Sequence, residues 1–207
     1  PPWVEREHNG TGGGREGVNW GLTPVKGGPG AARGTGPAAC CEGNSGALQV
    51  DGGYLSYGQP PALASLHGQV NLTVMMWMKA EPENSGNVYA ALSLAHDDDT
   101  GIAIQGDNTM MTAIFQGGAS RGCATPFDMA DGEWHHFAAV NLASTILLYV
   151  DGQPVQDCHT AAPLPTGLHL CGEGGSGQCH GEDWQLLLGN DPADSFGRRF
   201  DGMIDEV

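Results

Sequence analysis

Basic residues are scarce in this chain. Eight lysines and arginines stand against 24 aspartates and glutamates, a formal charge of -16. Such a field repels phosphate backbones and anionic bilayers, which argues against nucleic acid as a partner. Long apolar runs are missing too. None approaches the roughly 20 residues that a membrane-spanning helix needs, so direct membrane insertion is not expected. Charged residues make up only 15%, too few for a coiled coil or a charged tail. One Gly-x-Ser-x-Gly occurs, at Gly118-Ala119-Ser120-Arg121-Gly122, but no convincing helix follows it as a nucleophile elbow requires. There is no P-loop and no Cys-x-x-Cys pair, so nucleotide-phosphate and zinc-ribbon chemistries have no anchor. The opening Pro1-Pro2-Trp3-Val4-Glu5 lacks the pattern of a signal peptide. The chain therefore reads as a mature protein or a segment of a longer one, and the mid-strand character of Ile204-Asp205-Glu206-Val207 favours a segment.

What is abundant is glycine, at 34 residues, with 13 prolines beside it. That punctuation suits short strands joined by turns and works against long helices. Hydrophobic residues reach 40% of 207, enough for one all-β domain with its own core. The six cysteines are Cys40, Cys41, Cys123, Cys158, Cys171 and Cys179. An even count predicts a disulfide framework and an oxidising compartment, although spacing leaves the pairing open. Cys40 and Cys41 are adjacent and are expected to reach separate partners, while Cys171 and Cys179 are placed to close a glycine-rich loop. Two sequons, at Asn9 and Asn71, agree with a secreted or cell-surface location.

Residues 1–46 are dense in glycine and read as an irregular lead-in that forms no core of its own. From Ala47 onward the period is two. Val70, Leu72, Val74, Met76 and Met78 alternate with Asn71, Thr73, Met75, Trp77 and Lys79, which predicts a strand with one apolar face and Asn71 on the other. Further strands are predicted at 89–95, 101–105, 109–116, 134–141, 146–150, 184–189 and 203–207. The Asp151-Gly152 pair marks the clearest hairpin. Residues 156–183 break the rhythm with three cysteines and read as a stapled insertion on the rim.

Three segments together carry a family resemblance. They are Ala47-Leu48-Gln49-Val50-Asp51-Gly52-Gly53-Tyr54-Leu55 with 72–79; Asp131-Gly132-Glu133-Trp134-His135-His136-Phe137-Ala138 with Leu147-Leu148-Tyr149-Val150-Asp151-Gly152; and Leu186-Leu187-Leu188-Gly189-Asn190 with 200–207. In order and spacing they resemble the laminin-G-like jelly-roll domains of the concanavalin-A-like lectin/glucanase superfamily. The resemblance covers 47–207, apart from the insertion, and implies an all-β, two-sheet antiparallel jelly-roll sandwich. The family's usual last strand would follow Val207, so a neighbouring edge would be unpaired or completed by other domains of a longer parent chain.

The resemblance also implies a role. The expectation is an extracellular binding or adhesion module for glycans or for surface and matrix proteins, stabilised by calcium and not an enzyme. Alternatives are a structural tile in a larger surface or filament assembly, and a glycoside hydrolase relative. For calcium it implies oxygens from Asp51, Gly52 and Asp205, and a second site in the turns carrying Asp97, Asp99 and Asp107. The latter group also reads simply as a solvated acidic turn.

Individual residues weigh on these alternatives. Trp134 and Trp77 are read as core packing rather than ligand stacking. His135 and His136 are neighbours on a strand and point to opposite faces, so they do not chelate one ion. His159, His169, Cys171, Cys179 and His180 raise zinc, which an extracellular setting disfavours. The nearest match to the glucanase carboxylates is Asp201 with Asp205, roughly 13 Å apart along a strand, against the 5 Å that retention needs.

Overall fold

In the computed structural model the described residues are 26–27, 31–34, 47–51, 53–58, 61–82, 88–94, 100–107, 110–117, 120–142, 145–159, 167–168, 170, 186–190, 198–205 and 207. Among them the strands are β1 (Lys26–Gly27), β2 (Ala31–Gly34), β3 (Ala47–Asp51), β4 (Leu55–Ser56), β5 (Leu72–Ala80), β6 (Tyr89–Leu94) and β7 (Thr100–Gly106), followed by β8 (Met111–Gly117), β9 (Ser120–Thr125), β10 (His135–Asn141), β11 (Thr145–Val150), β12 (Gln153–His159), β13 (Leu186–Leu188) and β14 (Asp201–Asp205). They form two sheets, ordered β1-β4-β13-β6-β7-β8-β9 and β12-β11-β10-β5-β14-β3-β2. Every pairing is antiparallel. This is the two-layer sandwich that the alternating pattern predicts.

The alternation on β5 sets the layers. Met76, Met78 and Ala80 are fully buried, whereas Thr73 and Met75 on the opposite face are exposed. Register carries the inward row across the sheet: Met76 faces Phe137, which faces Val150, and Met78 faces Ile204. Opposite them lie Leu55, Leu92, Leu94, Ile102, Ile104, Phe115 and Leu188 of the other sheet, in one continuous core. Each such large side chain contributes about 1.5–3 kcal/mol on burial. The second sheet's hairpin forms at Asp151-Gly152, where both residues take positive φ, 52° and 74°. That is the type I′ turn whose twist matches its strands.

Three expectations need correction, and one point the composition leaves open is answered. Lead-in residues enter the sheets: β1 pairs with β4, and β2 pairs with β3, each on a sheet edge. Strand β12 runs to His159 against β11, so the first residues assigned to an insertion are paired strand. Nor is the rest of that insertion only rim. Leu168 and Leu170 are buried in the core, and Gly68 N and Leu168 N donate to Leu168 O and Gln69 O to hold them there. Finally, Trp134 and Trp77 are half-buried and outside the core cluster. Trp77 shares the outward parity of Met75, and parity outweighed ring size. A short 3-10 helix (Pro61–Leu66) precedes β5.

Candidate functional site

At one end of the second sheet, the last residues of β3, β5 and β11 meet the first residues of β14, β10 and β12. This rim is acidic. Asp51 lies directly opposite Asp201 across β3 and β14. Glu81 follows in the same row, its N–H donating to Asp201 O at 2.9 Å. Beside them runs the 127–134 connection, pinned to the strand end by a hydrogen bond from Gly132 N to Ala80 O at 3.1 Å.

The centre of the rim is His135. Its Nδ1 lies 2.8 Å from Asp151 Oδ2, and its Nε2 lies 3.2 Å from Asp131 Oδ2. The ring packs edge-on against Phe127, centroids 5.3 Å apart. Asp151 also accepts from His136 N at 2.9 Å, and Asp131 Oδ1 accepts from Glu133 N at 2.9 Å. One imidazole thus joins the 127–134 connection to the β11–β12 hairpin.

Charge follows this geometry. Burial opposes protonation of His135, but the hydrogen bonds to Asp151 and Asp131 and their negative charge outweigh it, and the imidazole pKa is raised. Burial likewise opposes ionisation of both aspartates. The backbone donor of Glu133 and the His135 ring overcome it for Asp131, and the His135 ring and the backbone donor of His136 do so for Asp151, so both carboxyls titrate low. When protonated, His135 holds both carboxylates as a cationic clamp with no lone pair to offer a metal. The sequence reading passed over it. The signal available was the Asp151-Gly152 turn, which returns the chain directly beside the His135-His136 strand.

His136 points to the outer face, as opposite parity requires, and meets Trp77 edge-on at 5.3 Å. Met75 projects on that face beside Trp77, and Tyr149 faces Ala138 of the adjoining row. This leaves a half-covered aromatic and apolar surface next to the acidic rim.

The expected calcium ligands fall in different places. Asp51 sits at the rim, but Asp205 is four positions along β14 at its far end and is buried, roughly 13 Å away. The two do not share an ion. The partner that the register gives Asp51 is Asp201. Asp107 Oδ1 accepts from Met110 N at 3.0 Å and closes its own turn. Gly52, Asp97 and Asp99 lie outside the described residues. Among the described residues no group of three or more His, Cys, Asp or Glu side chains converges for a metal.

Of the cysteines, Cys123 on β9 and Cys158 on β12 are bonded, their Cα atoms 5.6 Å apart. Cys40, Cys41, Cys171 and Cys179 lie outside the described residues, as does Asn9. Asn71 is exposed at the foot of β5. No described helix is long and apolar enough to cross a membrane.

Residues 51–207 match the family model Laminin_G_3, described as the concanavalin A-like lectin/glucanases superfamily. No curated protein sequence matches the chain. Among solved structures it is similar to domain 4 of AbnA, an extracellular arabinanase from Geobacillus stearothermophilus in complex with arabinotriose, with TM-score 0.56 and 17% identity over 84% of this chain and 72% of that one. It is similar to the Ruminococcus gnavus IT-sialidase CBM40 bound to alpha2,3 sialyllactose, with TM-score 0.57 and 13% identity over 77% and 86%. It is also similar to the LG1-3 region of the laminin alpha2 chain, with TM-score 0.56 and 17% identity over 80% and 30%. The chain spans about a third of the length of the laminin structures that it resembles.

Proposed function

The chain belongs to the Laminin_G_3 family of the concanavalin A-like lectin/glucanases superfamily, and from that premise we propose that it is an extracellular recognition module for glycans or for surface and matrix proteins. The observation that supports this most is the clamped rim. His135 fastens the 127–134 connection to the β11–β12 hairpin, so the loops at that end are held in one arrangement before any ligand arrives. Preorganised loops lose less entropy on binding. Two structures of the same fold hold oligosaccharides, arabinotriose in one and sialyllactose in the other, which supports a glycan as the first ligand class to try.

Calcium belongs to the proposal as a structural ion. The donors would be Asp51 and Asp201, opposed across β3 and β14, with backbone carbonyls and waters completing a hard-oxygen shell. Two carboxylates directly opposite each other repel unless a cation lies between or near them. Calcium there would relieve that repulsion and fix the β3 end. The expected pair of Asp51 with Asp205 does not fit, for the distance given above.

A two-carboxylate hydrolase is disfavoured on the same strand. Asp201 and Asp205 stand at opposite ends of β14, and Asp205 is buried. Glycoside hydrolysis needs its acid and its second carboxyl within roughly 5–10 Å of each other across an open site.

A glycan array read with calcium and again with chelator tests the proposal. Binding that falls on chelation supports both parts. Binding that persists with chelator retains recognition and removes calcium. No binding to any glycan or matrix protein, in either condition, rejects the recognition role.

A further inference from the structure

Five large hydrophobic side chains stand out as exposed among the described residues: Val70, Met75, Val88, Met110 and Leu142. Three of them lie on β5 or beside the adjoining ends of β5 and β10. Met75 is the most exposed, at 55%, and lies on the outer face of β5. Val70, at 37%, immediately precedes Asn71, and Leu142, at 40%, follows Asn141, the residue that register sets opposite Leu72. The outer face continues the patch. Thr73 is flanked by Val140 and then Leu147, and Met75 by Ala138 and then Tyr149. Val140, Leu147 and Tyr149 are half-buried. Apolar surface collected in this way marks a place that something covers.

The sequence supplies a covering group at the edge of this patch. Asn71-Leu72-Thr73 is an acceptor sequon, and both Asn71 and Thr73 are exposed. Thr73 belongs to the outer face with Met75, while Leu72 turns toward the core. The modification site thus sits where the apolar strip begins. Met75 lies four positions further on, roughly 13 Å along the strand. The asparagine side chain and two linked sugars cover a comparable span. N-acetylglucosamine presents C–H groups on one face of its ring and hydroxyls at its edge, so it can lie on methionine, leucine and tyrosine while remaining hydrated.

We propose that Asn71 carries an N-linked glycan whose first sugars lie over the outer-face apolar strip Leu142, Leu147, Met75 and Tyr149 and shield it from self-association. This rests on the extracellular reading, because the attachment takes place on the secretory route. It is separate from ligand recognition at the rim, which is at the opposite end of β5. The strip it covers ends at Met75 and Tyr149, one outward row short of Trp77, His136 and the rim.

The test is to secrete the chain from a cultured eukaryotic line as wild type, Asn71→Gln and Thr73→Ala. The two variants remove the same glycan through different atoms. In the wild type, the peptide carrying Asn71 should show a mass gain that enzymatic deglycosylation removes, with Asn71 then reading as aspartate. Both variants should lose the mass gain, bind more of an apolar dye and elute earlier as oligomers. Adding Met75→Glu to Asn71→Gln should return dye binding and elution toward wild type, because it replaces the exposed apolar group itself. A secreted chain with the Cys123–Cys158 bond intact and Asn71 bare overturns the proposal and leaves the extracellular reading standing. A glycosylated wild type whose two variants stay monomeric and bind no extra dye overturns the shielding role. Retention in the cell, with Cys123 and Cys158 as thiols, overturns the extracellular reading and the glycan with it.

Discussion

Cys123 is bonded to Cys158 across the open side of the sandwich. The first lies on β9, the last strand of one sheet, and the second on β12, the first strand of the other. Among the described residues no backbone ladder joins the two layers at this side, so the bond supplies a covalent seam there. Cys123 is buried and belongs to the core cluster, which Cys158 packs against. Removing the bond releases a loop of 35 residues in sequence separation and is expected to cost about 2–4 kcal/mol. The double variant Cys123→Ala/Cys158→Ala, compared with wild type by denaturant unfolding without reductant, measures this. Equal midpoints would show that the seam contributes nothing.

The His135 clamp predicts a pH profile. The folded-state pKa of His135 lies above its unfolded value. Its stabilisation is therefore complete below about pH 6.5 and fades as pH rises through the raised value. Asp131 and Asp151 are shifted down. Their contribution is complete above about pH 4 and fades as pH falls below that. The cluster thus stabilises most in the mildly acidic window between these limits. Both aspartates are about half exposed, so the effect is on the order of 1 kcal/mol. Urea midpoints at a series of pH values should decline on the alkaline side for wild type, and His135→Gln should remove that decline. Parallel curves for the two proteins would rule the clamp out.

Gly202 is a position where glycine is demanded by space and backbone together. Its φ is +151°, and a Cβ there would collide with the Lys79 carbonyl and stand 2.9 Å from the Phe200 ring. It lies at the register point where β14 meets both Ala80 of β5 and Val50 of β3, so neither neighbour is free to move aside. Gly202→Ala is expected to lose about 1–3 kcal/mol, the usual cost of overpacking, or more if the strand cannot shift. Gly68→Ala serves as the control, since its φ is also positive but nothing lies within contact range. If both substitutions cost the same, backbone strain alone explains Gly202.

Much of the sandwich was legible because burial imposes a period of two on each strand. The inward row of β5, the strand of His135 and the Asp151-Gly152 turn all announce themselves within a few residues. Long-range register does not. Asp51 and Asp201 are 150 positions apart in sequence, and nothing local says that they face each other while Asp205 does not. Size misled the reading of Trp77, whose parity placed it outward beside His136. The sequence places Asp131 four residues before His135, a spacing that suggests helix pairing, yet here a bent connection makes the contact. The burial of Leu168 and Leu170 was hidden because two leucines in a glycine- and cysteine-rich stretch carry no periodic signal.

The calcium proposal separates cleanly through three aspartates. Asp51 and Asp201 are opposed at the rim, and Asp205 is buried at the other end of β14. If the ion is held at the rim, Asp51→Asn and Asp201→Asn should each weaken calcium binding measured by calorimetry at least several-fold, since each removes one of few charged oxygens from a hard-cation shell. Asp51→Asn should not lower the stability of the calcium-free protein, because like charges directly opposite on neighbouring strands are destabilising. Asp205→Asn should do the reverse, leaving affinity intact while lowering stability, because it alters a buried polar group that the fold has already accommodated. Loss of affinity on Asp205→Asn with Asp51→Asn silent would move the ion away from the rim and reject the Asp51–Asp201 pairing as its seat.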